Sequence, residues 1–167
     1  MTTSPRLAVE ADLEHLPGIE LSAASAFEGR DVPAFLFTDF APAEAYRPHL
    51  NGGTLWVIDD GQAPVAFLAA RVEGDRLHID ELDVRRDQQG QGLGRRLLEQ
   101  AAQWSRDQGL ARLSLTTFRD IPWNAPFYAR FGFRAWPVDE APATIRQALR
   151  NEAAKGLANR CAMVMDV

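Results

Sequence analysis

Three glycines, Gly90, Gly92 and Gly94, alternate with other residues in the middle of the chain. Glycine allows sharp backbone turns and leaves the main-chain N–H groups unscreened by side chains. Behind this loop, apolar residues recur at positions 93, 97, 101 and 104, which predicts a helix whose positive dipole end points towards the loop. A glycine loop at a helix N-terminus binds anions, and phosphate is the anion that we expect here.

The spacing of the glycines distinguishes this loop from two common phosphate-binding loops. The dinucleotide-binding fingerprint needs a third glycine at position 95, where this chain has Arg95. The P-loop needs Gly-Lys followed by Ser or Thr, and the sequence contains no such triplet. The glycine pattern therefore indicates a third kind of loop.

The residues that stand at this loop are Gln89-Gly90-Gln91-Gly92-Leu93-Gly94. They resemble the signature Gln/Arg-x-x-Gly-x-Gly/Ala, with which N-acetyltransferases of the GNAT superfamily hold the pyrophosphate of acetyl-coenzyme A. A second segment, with Asn124, Tyr128 and the pair Gly132-Phe133, resembles the second motif of the same family. The resemblance covers residues 77–136 and only weakly the two ends of the chain.

The resemblance implies direct transfer of an acetyl group from a thioester to an amine, without a covalent enzyme intermediate. Acetyl-coenzyme A is then the co-substrate, and its acetyl carbonyl faces the N–H near Leu82. The main chain at Leu82 and Val84 holds the pantetheine arm, and the amides of the glycine loop hold the pyrophosphate. The coenzyme-binding residues implied in this way are Leu82, Asp83, Val84, Gln89, Gly90, Gln91, Gly92, Leu93, Gly94, Arg95, Asn124 and Tyr128.

The implied reaction needs a group that removes a proton from the amine, and the strand over residues 77–84 offers three candidates. These are His78, Asp80 and Glu81. Alternation along a strand predicts His78 and Asp80 on one face and Glu81 on the other, unless a bulge interrupts it. We favour Glu81, which directly precedes the segment that binds the carbonyl; a water relay is the alternative. Some family members carry a glutamate on the next strand instead, where this chain has Thr116.

Tyr128 is the candidate for the general acid. It follows Asn124 by four residues, so both side chains can face one cleft from a helix. In the family, the tyrosine at this place protonates the thiolate of the coenzyme, and the asparagine contacts the pantetheine arm. A phenol with an ordinary pKa of about 10 stays protonated at neutral pH, as a general acid must.

Length and composition favour one ordinary globular domain over residues 1–167. Hydrophobic residues make up 46% and charged residues 25% of the chain, which argues against disorder. The net charge of −5 argues against nucleic-acid binding. We find neither an apolar run long enough to span a membrane nor a signal peptide, so we expect a cytoplasmic protein without a membrane partner.

Cysteine and histidine add no further chemistry. The single cysteine, Cys161, excludes an internal disulfide and is expected to pack in the core. The three histidines, His15, His49 and His78, show no metal-ligand spacing, so we expect no metal site.

The elements that position these residues alternate between strand and helix patterns. We predict an α/β fold of the GNAT type: a mixed, mostly antiparallel sheet of about seven strands, with a splayed parallel pair at residues 77–84 and 112–117 and flanking helices. The predicted strands cover residues 6–9, 54–58, 65–72, 77–84, 112–117, 133–136 and 159–167. The predicted helices cover residues 17–27, 42–50, 93–108, 124–132 and 141–157.

The acceptor amine is not specified by the sequence. Acidic residues at 80, 81 and 83 favour a small-molecule or protein amine over an anionic substrate. The aromatic segment 27–40, Trp123 and the extra helix at 141–157 can either wall the acceptor pocket or form a homodimer contact. The alternative function is a non-catalytic acyl-coenzyme A sensor that keeps the glycine loop without the chemistry.

Overall fold

A computed structural model of the chain describes residues 4–167. Seven strands form one sheet in the order β1-β2-β3-β4-β5-β7-β6, flanked by helices, which confirms the predicted fold class. The strands are β1 (Arg6–Leu7), β2 (Leu55–Asp59), β3 (Pro64–Glu73), β4 (Arg76–Val84), β5 (Arg112–Phe118), β6 (Arg134–Ala135) and β7 (Arg160–Asp166).

Strands β4 and β5 are parallel but remain together over a short distance only. Their pairing runs from Arg76 opposite Arg112 to His78 opposite Ser114, and the remaining residues of β4 and β5 are not paired with each other. Strand β5 instead pairs with β7 along its whole length, and β4 pairs with β3 as far as Val84. The sheet therefore splays open between β4 and β5, as predicted.

Five α-helices flank the sheet. They are α1 (Leu16–Ala24), α2 (Arg47–Asn51), α3 (Leu93–Asp107), α4 (Ala125–Phe131) and α5 (Ala143–Ala154). Within residues 4–167, every helix is too short or too polar to cross a membrane. The predicted helices lie in the right places, and most of them were predicted too long. At α1 and α2 the difference arises because short 3-10 turns follow α1 and precede α2.

The two faces of the sheet carry separate cores. Helix α3 buries Leu97, Leu98 and Ala101 against one face, where Leu68 of β3 and Leu115 of β5 also lie. Helix α1 buries Leu16 and Ile19 against the opposite face, where they meet Phe67 and Ala69 of β3. We call these the α3 face and the α1 face. Because side chains alternate along a strand, the register of β4 against β3 assigns each β4 residue to one of them.

A β-bulge interrupts β4 at Asp80. Glu81 pairs with Ala69 and Ile79 with Ala70, so Asp80 is the extra residue. His78 pairs with Arg71, which lies two residues from Ala69, and His78 and Glu81 therefore share the α1 face. Uninterrupted alternation predicts Glu81 on the face opposite His78; the bulge, which is the exception stated with that prediction, shifts the alternation by one residue.

Helix α5 covers the sheet beyond the splay. Its Ile145 packs with Trp136 and with Ala162 and Val164 of β7. The helix therefore supports β7, which is the strand that stabilises β5 after β5 has left β4.

Candidate active site

A cavity of about 550 Å³ lies where β4 and β5 separate. Its walls include residues 79–84 of β4 and residues 115–118 of β5. The rest of the wall comes from the glycine loop, α4, α1, the segment after α1 and β7. Residues from both faces of the sheet line the cavity, so the cavity passes through the sheet.

We divide the cavity by the face of the sheet that each part adjoins. The α3 half contains Leu82, Val84, Leu115, the glycine loop and the α4 residues Phe127 and Tyr128, most of which pack with the core beneath α3. The α1 half contains Glu81, Asp83, Phe118 and Arg160, together with Ala23, Phe27, Leu36, Trp123 and Leu157. The first half holds most of the predicted coenzyme-binding residues, and the second holds the predicted base. The exceptions are Asp83, which lies in the second half, and Gln91, which is not part of the cavity wall.

The glycine loop of the α3 half presents its main chain. Gly90 and Gly92 both have a φ of +79°, a left-handed conformation that favours glycine, and a Cβ atom there would meet nothing within 4 Å. Helix α3 starts directly after Gly92, and its first turn closes with the bond from Arg96 N–H to the Gly92 carbonyl. The N–H groups of Leu93, Gly94 and Arg95 precede that bond, so they can bind an anion.

Two polar side chains around the loop have defined partners, and a third carries a buried oxygen without one. Gln89 donates from Nε2 to the Val84 carbonyl at 3.0 Å, and this bond ties the loop to the end of β4. Arg95 forms an exposed ion pair with Glu99 at 3.0 Å. The buried Oδ1 atom of Asn124 accepts no hydrogen bond within the described chain. An amide N–H of a ligand lying in the α3 half can satisfy that oxygen.

Tyr128 lies in the α3 half, close to the carboxyl groups of the α1 half. Its ring packs edge-on against Phe127 and Phe133, at centroid distances of 5.2 and 5.6 Å, and only 8% of the residue is exposed. Burial raises the pKa of its hydroxyl above the ordinary value, and the nearby charges of Asp83 and Glu81 raise it further. Tyr128 is therefore held in the protonated form.

Glu81 and Asp83 form a hydrogen-bonded pair of carboxyl groups on the α1 face. Burial raises the pKa of both, and the charge of Glu81 raises the pKa of Asp83 much further. The hydrogen bond from Asp83 and the charge of Arg160 act in the opposite direction on Glu81. Asp83 therefore holds a proton more tightly than Glu81, and Glu81 is the member of the pair that ionises first and can then accept a proton.

A third carboxyl group, Glu20, lies on α1 one turn before Ala23, which lines the cavity. Its carboxyl accepts hydrogen bonds from the Tyr46 hydroxyl and from the Ala41 N–H. Burial, with a smaller contribution from the charge of Glu81, raises the pKa of Glu20 to about 8. Glu20 is therefore mostly uncharged at neutral pH.

The other two candidate bases have different surroundings. His78 lies before the splay, where its Nδ1 is 2.9 Å from Ser114 Oγ; it is buried and is not part of the cavity wall. Asp80 lines the cavity, but its carboxylate is paired with Arg71 and lies 2.9 Å from His49 Nε2. Glu81 is the candidate whose carboxylate has no cation within ion-pair distance among residues 4–167.

Arg160 of β7 is held in place by α5. Its guanidinium forms an ion pair with Glu152 at 2.8 Å, donates to the Thr116 carbonyl at 3.4 Å and stacks on Phe118 at 4.6 Å. Thr116 also donates from Oγ1 to Glu152 at 2.6 Å. The extra helix thus supports the cavity wall by holding Arg160 through Glu152, and this ion pair locally neutralises the positive charge of Arg160.

Aromatic rings form the outer wall of the α1 half. Phe27 lies 5.6 Å from Phe118 and 5.6 Å from Trp123, measured between ring centroids. Arg30 stacks on Trp123 at 4.9 Å. Of the phenylalanines in segment 27–40, Phe27 is the one in the cavity wall, and Leu36 accompanies it.

Sequence reasoning did not find Glu20, Arg160 or the carboxyl role of Asp83. Glu20 and Arg160 come from the two ends of the chain, and no local pattern connects them with β4. Asp83 was assigned to coenzyme binding through its main chain, and its position two residues from Glu81 on one strand was the available signal. Within the described part of the chain, no group of three or more His, Cys, Asp or Glu residues is arranged to hold a metal ion.

Three solved structures share this fold, and each match extends over 98% of the chain. PaiA N-acetyltransferase from Thermoplasma acidophilum, in complex with coenzyme A, is 12% identical with a TM-score of 0.74, and 98% of it is covered. The ribosomal-protein-S18-alanine N-acetyltransferase from Escherichia coli is 20% identical with a TM-score of 0.69, and 93% of it is covered. N-acetylglutamate synthase from Neisseria gonorrhoeae, complexed with coenzyme A and N-acetyl-glutamate, is 20% identical with a TM-score of 0.71, and this chain spans 34% of it.

A sequence model of the acetyltransferase (GNAT) family matches residues 23–133. The match includes both strands of the splay, the glycine loop, α3 and α4, and it confirms the resemblance inferred from the two motifs. This chain belongs to the acetyltransferase (GNAT) family.

Proposed function

We propose that this protein is an N-acetyltransferase that moves the acetyl group of acetyl-coenzyme A directly to a primary amine of a small molecule or a protein. The observation that carries the proposal is the cavity through the splay. It connects the glycine loop with the carboxyl group of Glu81 and with a protonated Tyr128. These are the groups that the reaction needs.

The α3 half suits acetyl-coenzyme A, which is the co-substrate expected of the family. Phosphate oxygens can accept hydrogen bonds from the amides at the start of α3, and the buried Asn124 Oδ1 can accept an amide N–H of the pantetheine arm. Solved structures of the same fold contain coenzyme A, which supports this assignment.

The α1 half provides the base. An amine enters as a cation and is attracted to Glu81, the ionised member of the carboxyl pair. Glu81 takes a proton from the nitrogen, and the nitrogen attacks the acetyl carbon. The bulge at Asp80 leaves main-chain groups at the centre of the sheet unpaired, so that they can stabilise the developing oxyanion.

Tyr128 completes the transfer. The bond between the acetyl carbon and the sulfur breaks, and the departing thiolate takes the proton of the Tyr128 hydroxyl. The proton accepted by Glu81 restores the phenol, and the second proton that the ammonium nitrogen loses passes to solvent, so one ammonium group and one thioester give the amide, the free thiol and one released proton. Because the pKa of Tyr128 is raised, its phenolate takes that proton back readily.

The rival function is an acyl-coenzyme A sensor without chemistry. A sensor needs the α3 half alone, whereas this chain also places a carboxyl pair and a buried phenol beside the same cavity. The test is release of coenzyme A thiol from acetyl-coenzyme A over a panel of amines, with a parallel measurement of coenzyme binding. We expect thiol release that depends on the amine. Tight binding of acetyl-coenzyme A without release from any amine would favour the sensor.

A further inference from the structure

We propose that the acceptor is a hydrophobic primary amine, with one cationic nitrogen on an alkyl or aromatic body and with neither a carboxylate nor a second cation. This inference rests on the proposed acetyl transfer, and it concerns the α1 half of the cavity. The juxtaposition that carries it is one pair of carboxyl groups, Glu81 and Asp83, at the inner end of an aromatic and aliphatic wall.

The α1 half offers one free negative charge to an acceptor. Glu81 and Asp83 lie two residues apart on the same face of β4, and repulsion between two neighbouring carboxylates disfavours ionisation of both, so together they carry about one charge. Asp80 is paired with Arg71 and contacts His49. A single ammonium group therefore matches the charge of this half, and a second ammonium group would find no unpaired partner there.

The positive charge near this half, on Arg160, is already paired with other groups of the protein. Arg160 is paired with Glu152 at 2.8 Å, and its Nη2 also donates to the Thr116 carbonyl. An acceptor with a carboxylate next to its amine would place that carboxylate beside Glu81 and would have to compete with Glu152 for Arg160. Amino acids are therefore disfavoured as acceptors.

The wall beyond the carboxyl pair is apolar. It consists of side chains from four separate parts of the chain, namely Phe27, Leu36, Phe118, Trp123 and Leu157. Trp123 is 37% exposed, which is unusual for a large aromatic side chain and places an uncovered ring at the cavity wall. A hydrophobic body attached to the reacting amine can cover this surface, and its removal from water would favour binding.

The aromatic wall is not a cage for cations. Arg30 stacks on the Trp123 ring at 4.9 Å, and Arg160 stacks on the Phe118 ring at 4.6 Å. Each guanidinium occupies one face of its ring and repels a further cation nearby. Contacts between Phe27 and both rings also hold the wall in place before an acceptor binds. The wall therefore selects apolar groups over polyamines.

The experiment compares acceptors by kcat/KM and, separately, by calorimetric binding to the protein saturated with coenzyme A. The panel contains linear alkylamines from propylamine to hexylamine, phenethylamine, a linear diamine of matched length and glutamate. We expect kcat/KM to rise about threefold to fourfold with each added methylene group. We expect the diamine and glutamate to be at least about tenfold poorer than hexylamine.

Variants connect this preference with the wall. Trp123→Ala should flatten the dependence on chain length, because it removes part of the apolar wall along which the longer amines extend. The control is Val138→Ala, which shortens another exposed apolar side chain outside the cavity, and it should behave as the wild type.

The outcomes separate this inference from the proposed function. If the diamine or glutamate is turned over better than hexylamine, or if chain length has no effect, the proposal of a hydrophobic acceptor is wrong and the proposed acetyl transfer still stands. Binding of hexylamine and phenethylamine without turnover would support the acceptor site and contradict the acetyltransferase. If these amines fail to bind while another acceptor is acetylated, the inference is wrong.

Discussion

The two halves of the cavity are built in different ways. The α3 half is mainly main chain: a glycine loop, a helix start and the end of β4, all within residues 82–95. The α1 half is made of side chains from α1, the segment after it, β4, β5, β7 and the loops on either side of α4 and α5. The first half depends on backbone conformation, whereas the second depends on which distant residues the fold brings together.

The two halves of the cavity also differ in whether their polar groups can gain or lose protons. The polar groups of the α3 half are mainly amides and carbonyls, which do not titrate, and the Tyr128 hydroxyl, which stays protonated at neutral pH. On the α1 side, Glu81 and Asp83 line the cavity and Glu20 lies on α1 one turn before Ala23 of its wall, and burial raises the pKa values of all three carboxyl groups. The comparison predicts that binding of the coenzyme and activation of the acceptor can be changed separately, and substitutions in the two halves can test this separation.

The largest effect is expected from Glu81→Gln, because the amide cannot accept the proton of the amine. We predict a decrease in kcat/KM of about 10²- to 10⁴-fold, with an unchanged affinity for coenzyme A. Steady-state kinetics and calorimetry measure the two quantities. Glu99→Gln, on the exposed side of α3, is the control and should remain fully active.

The substitution Asp83→Asn tests which of the two paired carboxyl groups, Glu81 or Asp83, is the base. If Asp83 were the base, Asp83→Asn would lose more activity than Glu81→Gln. In the wild type, activity should rise with pH through the raised pKa of Glu81, because the base acts in its ionised form. This acidic limb should be absent from any residual activity of Glu81→Gln.

The next effect is that of Tyr128→Phe, which keeps the ring packing and removes the acidic proton. We predict a decrease in kcat of about 10²-fold. The loss should be smaller with a thioester whose leaving thiol is more acidic, since such a thiolate needs less protonation. An equal loss with both thioesters would contradict the role of general acid, and Tyr46→Phe provides a matched control for loss of a buried hydroxyl.

Gly92→Ala should affect the α3 half alone. A side chain at a φ of +79° costs about 1–2 kcal/mol, and relief of that strain moves the loop amides. We predict that calorimetry will show an affinity for coenzyme A that is about tenfold lower. Gly61→Ala, at a φ of +97° in the turn between β2 and β3, should carry a similar cost in stability and retain full affinity. Equal affinities in the two variants would refute the role of the Gly92 conformation.

The smallest effect is on stability, through Glu20. Folding raises the pKa of Glu20 from 4.5 to about 8, so the folded state binds more protons than the unfolded state between these values. The free energy of unfolding therefore falls as the pH increases through this window. Glu20→Gln removes the decline, and we expect its Tm at pH 8 to exceed that of the wild type by about 2–4 °C.

Thermal unfolding at pH 5 and pH 8 measures this difference. The variant and the wild type should be similar at pH 5, where folded Glu20 is protonated. Glu14→Gln, an exposed substitution just before α1, is the control and should leave the pH dependence unchanged. A variant that is less stable than the wild type at pH 8 would show that Glu20 stabilises the fold as an ionised group.

The same contrast explains what could be predicted from the sequence. The α3 half was predictable because Gly90, Gly92 and the helix behind them form one continuous segment with a recognisable spacing. The parallel pair and its splay followed from a crossover helix and from the family resemblance. Glu20 and Arg160 were not predictable, because their proximity to β4 arises from tertiary packing of the two ends of the chain. The face of Glu81 could be predicted only on the condition that no bulge interrupts β4, because a bulge has no periodic signature of its own.

The bulge at Asp80 also bears on how such a site can arise by mutation. On both sides of Asp80, β4 keeps the register with β3 that an uninterrupted ladder would have: Ile79 opposite Ala70 and Glu81 opposite Ala69. Asp80 is therefore a residue that the ladder can omit without displacing its neighbours. The insertion of a single codon into an ordinary strand is enough to create unpaired main-chain groups at the centre of a sheet, while the flanking residues keep their places.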